Sequence, residues 1–185
     1  LGSGPVRAAL LEQPEAPVEL LVYEWSGPAD QVTLLPWTRI TDGAALDNAI
    51  AVLRGLERRD EATPGTALGV AMLHGARMLM ERSCWRKTLD ISGDGKSNLG
   101  PRPRSVKPQL EGTGITINAL VIGADDLAIG DRRQGEIAEL SAYFNAEVIL
   151  GADAFVEVAL GFESYAAAME IKLLRELDGL VLARR

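Results

Sequence analysis

What this chain of 185 residues has little of narrows its chemistry first. It contains one cysteine, Cys84, which excludes an internal disulfide and a cysteine zinc cluster. Cys84 itself reads as a small apolar residue near a helix end. It contains one histidine, His74, so no histidine pair is available for a metal. His74 shares a polar stripe with Arg77 and Glu81, reads as a surface residue, and is a poor base for a Ser/His/Asp site. Basic charge is scarce: 19 Lys and Arg against 26 Asp and Glu give a net charge of -7. That excludes a nucleic-acid-binding surface, which needs clustered cations for phosphate contacts. No apolar run approaches the ~20 residues that span a bilayer. There is no internal repeat, no low-complexity tract, no initiator methionine and no signal-peptide pattern, so the compartment is not legible from composition.

What is present suits one globular domain over 1–185, with 47% hydrophobic and 24% charged residues. Val6–Leu11 reads as a turn or two of helix. Val18–Trp25 and Val32–Thr38 read as strands whose short Ser26-Gly27-Pro28 connection permits only an antiparallel hairpin, with Pro36 placing the second strand at an edge. A helix is expected over Ala44–Leu56, capped by Thr41 or Asp42, with Leu46, Ala49, Ile50 and Leu53 on its buried face. Glu57–Glu61 reads as a solvated connection, and a second helix runs from Thr66 to Arg82 behind Pro64-Gly65. Lys87–Ser92 and Gly114–Gly123 have the near-continuous apolar character of strands covered on both faces. Between them lies a weak helix ending near Gly112. Ala124–Gly130 reads as loop, Gln134–Phe144 as helix, Ala146–Leu150 with Phe155-Val156 as one short strand or a pair, and Phe162–Leu177 as the last helix. Strands alternating with helices predict a doubly wound, Rossmann-like α/β fold, its sheet mostly parallel with one antiparallel edge strand.

The chemistry concentrates in K-T-L-D-I-S-G-D-G-K-S-N, Lys87–Asn98. Here a strand stops in a glycine-flanked loop that carries Asp94, with Ser92, Ser97 and Asn98 close by. Ligands of open α/β sheets sit beyond the carboxyl ends of the strands. G-D-G-K-S resembles the end of a phosphate-binding loop, but Asp90 stands where that pattern needs its first glycine, and N-L-G-P-R-P cannot supply the following helix. Paired-carboxylate hydrolysis needs a second inward acid that no spacing singles out. A hard-cation site fits better: Asp94 is an anionic oxygen donor between two glycines, and Thr66 offers a hydroxyl at a helix start. Thr66 reads equally as a helix cap, and Asp94 equally as a turn-forming residue.

Taken in order, Y-E-W-S-G (Tyr23–Gly27), L-P-W-T (Leu35–Thr38), P-G-T-A-L (Pro64–Leu68), D-I-S-G-D-G-K-S-N (Asp90–Asn98) and G-I-T-I-N-A-L-V-I (Gly114–Ile122) resemble the von Willebrand factor type A (VWA) fold, and within it an uncharacterised bacterial VWA-like subgroup. A-F-V (Ala154–Val156) and K-L-L-R-E-L (Lys172–Leu177) agree, so the resemblance runs from about Val18 to Leu177. It implies a metal-ion-dependent adhesion site holding Mg²⁺, with Mn²⁺ or Ca²⁺ as alternatives. Thr66 is then the threonine ligand and Asp94 the aspartate ligand. A protein partner's carboxylate completes the octahedron. It implies a binding module in place of an enzyme, with an extracytoplasmic setting. A metal-assisted hydrolase is the competing class, and neither loop offers it a His or Glu base. A scaffold with a non-functional metal site is the third.

One departure from the family is plain. The D-x-S-x-S motif that supplies the remaining ligands is absent, and no apolar strand precedes Val18 to carry it. The family places that strand between Val18–Trp25 and Lys87–Ser92. Leaving such a gap open costs about 1–3 kcal/mol per buried unsatisfied backbone group, against a total stability of about 5–15 kcal/mol. The expectation is therefore that the chain is incomplete at its N-terminus; direct pairing of the two neighbouring strands is the alternative. Val18–Trp25, Lys87–Ser92 and Gly114–Gly123 are expected to be parallel in one sheet, with Thr66 and Asp94 at the same sheet end.

Overall fold

Strand β4 (Ile115–Ile122) carries the deepest part of the core. Ile115, Ile117, Ala119, Leu120, Val121, Ile122 and Asn118 are all buried. Neighbouring strand residues face opposite ways, so burial of both sets means that both faces are covered. The computed structural model describes residues 1–12, 16–57, 62–123 and 131–182. In it β4 is the middle strand of a parallel sheet, between β3 (Lys87–Gly93) and β5 (Val156–Ala159). Lys87 pairs with Ile115 and Gly93 with Val121. Asn118, polar in an apolar strand, accepts a hydrogen bond through Oδ1 from the Phe155 amide at 3.2 Å and so fixes the entry to β5.

The described residues fall into two compact units. The unit formed by Trp25–Gln31 and Thr63–Ala168 holds this sheet. It also contains α3 (Leu68–Met80), α4 (Pro103–Leu110) and α5 (Asp131–Tyr143). Helix α3 buries Leu68, Gly69, Ala71, Met72, Gly75 and Ala76 on one stripe, close to the face its spacing predicts. It starts at Leu68, two residues later than Thr66, because Ala67 adopts φ -89°, ψ 56° and the Thr66 backbone is engaged elsewhere. His74 on this helix is half-buried, not fully on the surface.

The other unit comprises Leu1–Glu24, Val32–Ala62 and Met169–Arg185. Val6 and Leu10 of α1 (Gly4–Leu11), Leu35 and Ile40 ahead of the next helix, Leu46 and Ala49 of that helix, α2 (Gly43–Arg54), and Leu177 of α6 (Tyr165–Leu182) form its core. Asp42 caps α2 by accepting from the Ala45 amide at 2.9 Å. In α6, Lys172 is fully buried and donates to Glu176 Oε1 at 2.6 Å, one turn on.

The architecture is thus an α/β fold with a parallel three-stranded sheet and an antiparallel pair. The pair is β1 (Glu19–Trp25) with β2 (Gln31–Arg39), the expected hairpin. It is a separate sheet, which corrects the expectation that Val18–Trp25 runs parallel beside Lys87–Ser92. A strand joins a sheet only through a hydrogen-bonded neighbour, and among the described residues the chain ahead of β1 forms helix α1. Direct pairing of β1 with β3 is not formed either. Ala146–Leu150 is not a strand: Phe144–Val148 is a π-helical turn that buries Phe144 and Val148, and only Leu150 bridges to Ile117. Its burial repeats at helical spacing, which a short apolar run conceals. The expectations for 58–61 and 124–130 lie outside the described residues.

Candidate functional site

Strand β3 ends at Gly93, where a side chain would crowd its neighbours. A Cβ at that position would lie 3.0 Å from Phe144 Cζ and 3.9 Å from Trp25 Cζ2. The chain then turns outward, leaving Asp94 exposed at the carboxyl end of the sheet. The other side of the site begins with Pro64-Gly65-Thr66. Gly65 has φ +155°, and a Cβ there would meet Leu99 Cδ1 at 2.2 Å, so this turn accepts glycine alone.

Thr66 and the Asp94 loop are joined through the Thr66 backbone. Its amide donates to Asn98 Oδ1 at 2.8 Å. Its carbonyl accepts from the Asn98 amide at 3.0 Å and from Ser97 Oγ at 3.2 Å. The Thr66 hydroxyl is left out of this set and lies 3.7 Å from where a Gly95 Cβ would stand. The structure therefore sets the Thr66 hydroxyl beside Gly95, in the loop that carries Asp94.

Helix α5 and the turn after it hold the far side of the loop. The Ser97 amide donates to the Tyr143 hydroxyl at 3.3 Å, and Tyr143 packs edge-on against buried Phe144 at 5.8 Å. Lys96 donates to Glu139 Oε1 at 2.5 Å, with its ammonium 5.9 Å from the Tyr143 ring centre. The Lys96 hydrogen bond and charge hold the Glu139 carboxyl below its ordinary range, whereas burial pushes the Tyr143 phenol up. An open cavity of about 200 Å³ lies here, lined by Asp94, Lys96, Glu136 and Glu139 over Ile122, Ile137 and Leu140.

Ser26 is a residue that sequence reasoning misses. It comes directly after β1, and its carbonyl accepts from the Ala67 amide at 2.8 Å, next to Thr66. Its hydroxyl is buried and has no hydrogen-bond partner among the described residues. Its place at a strand end, like that of Asp94, is the signal that would have found it.

The donors suit a hard cation in kind: the Asp94 carboxylate, the Thr66 hydroxyl and the orphaned Ser26 hydroxyl are all oxygens. In number they are few. Among the described residues no three His, Cys, Asp or Glu side chains converge to hold a metal, so Glu136 and Glu139 share the cavity with Asp94 without forming a ligand set. No described helix is long and apolar enough to cross a membrane.

A family model described as "Protein of unknown function (DUF1194)" matches residues 1–181. No curated protein matches the sequence. Among solved structures, the fold is similar to proximal thread matrix protein 1 from the mussel byssus, with TM-score 0.57 and 16% identity over 94% of this chain. This chain spans 41% of that protein's length. It is also similar to the conserved hypothetical protein BatB from Bacteroides thetaiotaomicron, with TM-score 0.52 and 15% identity over 92% of this chain and 86% of that one. Both are VWA-domain proteins, and at these identities the likeness concerns the fold.

Proposed function

The chain belongs to the DUF1194 family, and on that footing we propose that it is a VWA-type protein-binding module whose contact with its partner depends on a divalent cation. Asp94 and Thr66, with Ser26 beside them, are the residues that would hold Mg²⁺, or Mn²⁺ or Ca²⁺ in its place. The ion supplies a fixed positive charge that a partner carboxylate can complete. Asp94 provides the one full negative charge, and Thr66 provides a neutral oxygen from a backbone that is already rigid. Gly95, which carries no side chain, leaves room beside the Thr66 hydroxyl. The observation that carries this reading is the Thr66 hydroxyl facing Gly95, one residue from Asp94, at the carboxyl end of a parallel strand. The role is binding and not catalysis.

A second reading, a scaffold that no longer takes a metal, is favoured by the small ligand set among the described residues. Calorimetric titration with Mg²⁺ and Mn²⁺ separates the two. Because Mg²⁺ sheds water reluctantly, two or three oxygens should give weak binding, with a Kd of about 1 mM. Asp94→Ala should abolish it, and Thr66→Ala should weaken it without unfolding the protein. No heat with either ion, or unchanged binding in Asp94→Ala, refutes the cation reading.

A further inference from the structure

The open cavity at the carboxyl end of the sheet is a place apart from the oxygens proposed to hold an ion: Asp94 lines it, whereas Thr66 and Ser26 do not. One part of its lining is aliphatic. Ile122 comes from the end of β4, and Ile137 and Leu140, both half-buried, come from one face of α5 at i, i+3 spacing. Ile137 packs so closely on the strand end that a Cβ at Gly123 would stand 2.6 Å from its Cδ1. Another part is charged. Lys96 is committed to Glu139 Oε1, and Glu136 has a further interaction of its own. Asp94 differs: it is exposed, and among the described residues no hydrogen bond or ion pair engages it.

At about 200 Å³ the cavity is smaller than the roughly 300–1,000 Å³ of cofactor and drug-sized sites, so it suits a single side chain. An aliphatic wall beside a free carboxylate matches a side chain with an apolar stem and a cationic head. An acidic side chain is repelled by Asp94, and a purely apolar one dehydrates that carboxylate without giving it a partner. Of the two long cations, arginine is the more weakly hydrated, and its planar fork meets a carboxylate through two hydrogen bonds. We propose that this cavity is a socket for one arginine side chain of a partner protein, its stem against Ile122, Ile137 and Leu140 and its guanidinium on Asp94. The chain's net charge of -7 favours the approach of such a basic segment. The socket does not depend on an ion near Thr66. Because Asp94 is common to both, divalent ions are excluded from its test.

The whole chain, in EDTA, is titrated with n-propylguanidinium chloride, which is the arginine side chain alone, and followed by the NMR signals of its isoleucine and leucine methyl groups. Those of Ile122, Ile137 and Leu140 should shift together and saturate with a Kd of about 10 mM, as suits a ligand of so few atoms. Neutral 1-butanol should bind at least about fivefold more weakly. Asp94→Asn, a change in an exposed loop, should weaken n-propylguanidinium binding by about fivefold or more. Leu140→Trp, which fills the cavity, should abolish the shifts of Ile122 and Ile137. A blocked Gly-Arg-Gly peptide, whose main chain stays outside, should bind at least as tightly as the side chain alone. Absent or scattered shifts, equal binding of 1-butanol, or unchanged binding in Asp94→Asn overturns the socket, and failure of the peptide alone overturns the protein partner. A calorimetric Mg²⁺ titration without heat, which refutes the cation reading, leaves each of these expectations standing.

Discussion

Gly69→Ala should unsettle this protein more than its single added carbon suggests. Gly69 lies in the second position of α3, where alanine is ordinarily favoured over glycine by about 1 kcal/mol. Here a Cβ would stand 2.1 Å from the Pro101 carbonyl oxygen, 3.0 Å from its carbon and 3.3 Å from the Arg102 carbonyl carbon. All three are backbone atoms, so no side chain can swing aside. The first contact is about 1.2 Å shorter than an ordinary carbon–oxygen approach of about 3.3 Å. Helix α3 and the strap before α4 must therefore separate. Overpacking costs about 1–3 kcal/mol and sometimes more; a contact this short between backbone atoms belongs at the upper end, so against the propensity gain of about 1 kcal/mol the net loss should be about 2 kcal/mol. For a chain of this size that lowers the melting midpoint by about 4–8 °C. Because Thr66 lies three residues before Gly69 and Leu99 two before Pro101, Mn²⁺ binding should weaken as well. Urea and thermal unfolding by circular dichroism measure the first effect. Gly135→Ala serves as the control: it sits in α5 with nothing within 4 Å of the added carbon, and should stabilise by about 0.5–1 kcal/mol. A Gly69→Ala protein as stable as wild type would refute the close packing described for α3.

Asn98→Ala should remove the 2.8 Å acceptor of the Thr66 amide and cost about 1 kcal/mol in urea unfolding, with a larger proportional loss of Mn²⁺ affinity. Lys172→Met leaves the Glu176 carboxylate, in a residue whose side chain is only 11% exposed, without its lysine, and should destabilise by about 3 kcal/mol; Lys172→Met with Glu176→Leu should recover to wild-type stability or above. Burial lowers the Lys172 pKa against the opposing pull of Glu176, so the unfolded chain binds more protons between the folded value and 10.5, and wild-type stability should gain from this group as pH rises through that window, a slope that Lys172→Met should lose. The Asp42 cap lowers that residue's pKa below 3.8, so its contribution is full above 3.8 and is lost as pH falls through the folded value; Asp42→Asn, still an acceptor, should flatten that part of the acid-unfolding profile.

The strands buried on both faces were legible almost to the residue. Lys87–Ser92 extends only to Gly93, and Gly114–Gly123 shortens only to Ile115–Ile122, because an apolar run bounded by glycines leaves little freedom of register. The loop with Asp94 was legible for the same reason, since a buried strand that stops at glycine has to leave the sheet there. Non-local pairing was not legible. Nothing within E-L-L-V-Y-E-W states which neighbour its backbone will ladder with, and β1 went to β2 alone. Ser26 was overlooked despite its place at a strand end, because a serine before Gly-Pro reads as a turn; that its hydroxyl is buried without a partner shows only in the folded chain. The π-helical turn at Phe144–Val148 was missed because Tyr143 and Phe144 take their roles from contacts with Ser97 and Gly93, about fifty residues away in sequence.

The way the Asp94 loop is fastened has an evolutionary consequence. All of its ties to Thr66 use that residue's main chain, which every amino acid but proline possesses in full. The hydroxyl can be exchanged without loosening the loop, and so can the Asp94 carboxylate, for which no tie of this kind is described. Asn98 is the opposite case, since its side chain is itself the fastener. Descent with modification can therefore erase the ion-holding chemistry in one or two steps while the scaffold persists unchanged. Relatives should divide into those that keep Thr66, Asp94 and Asn98 together and those that keep Asn98 alone, the second group preserving the shape of a site whose use has been given up.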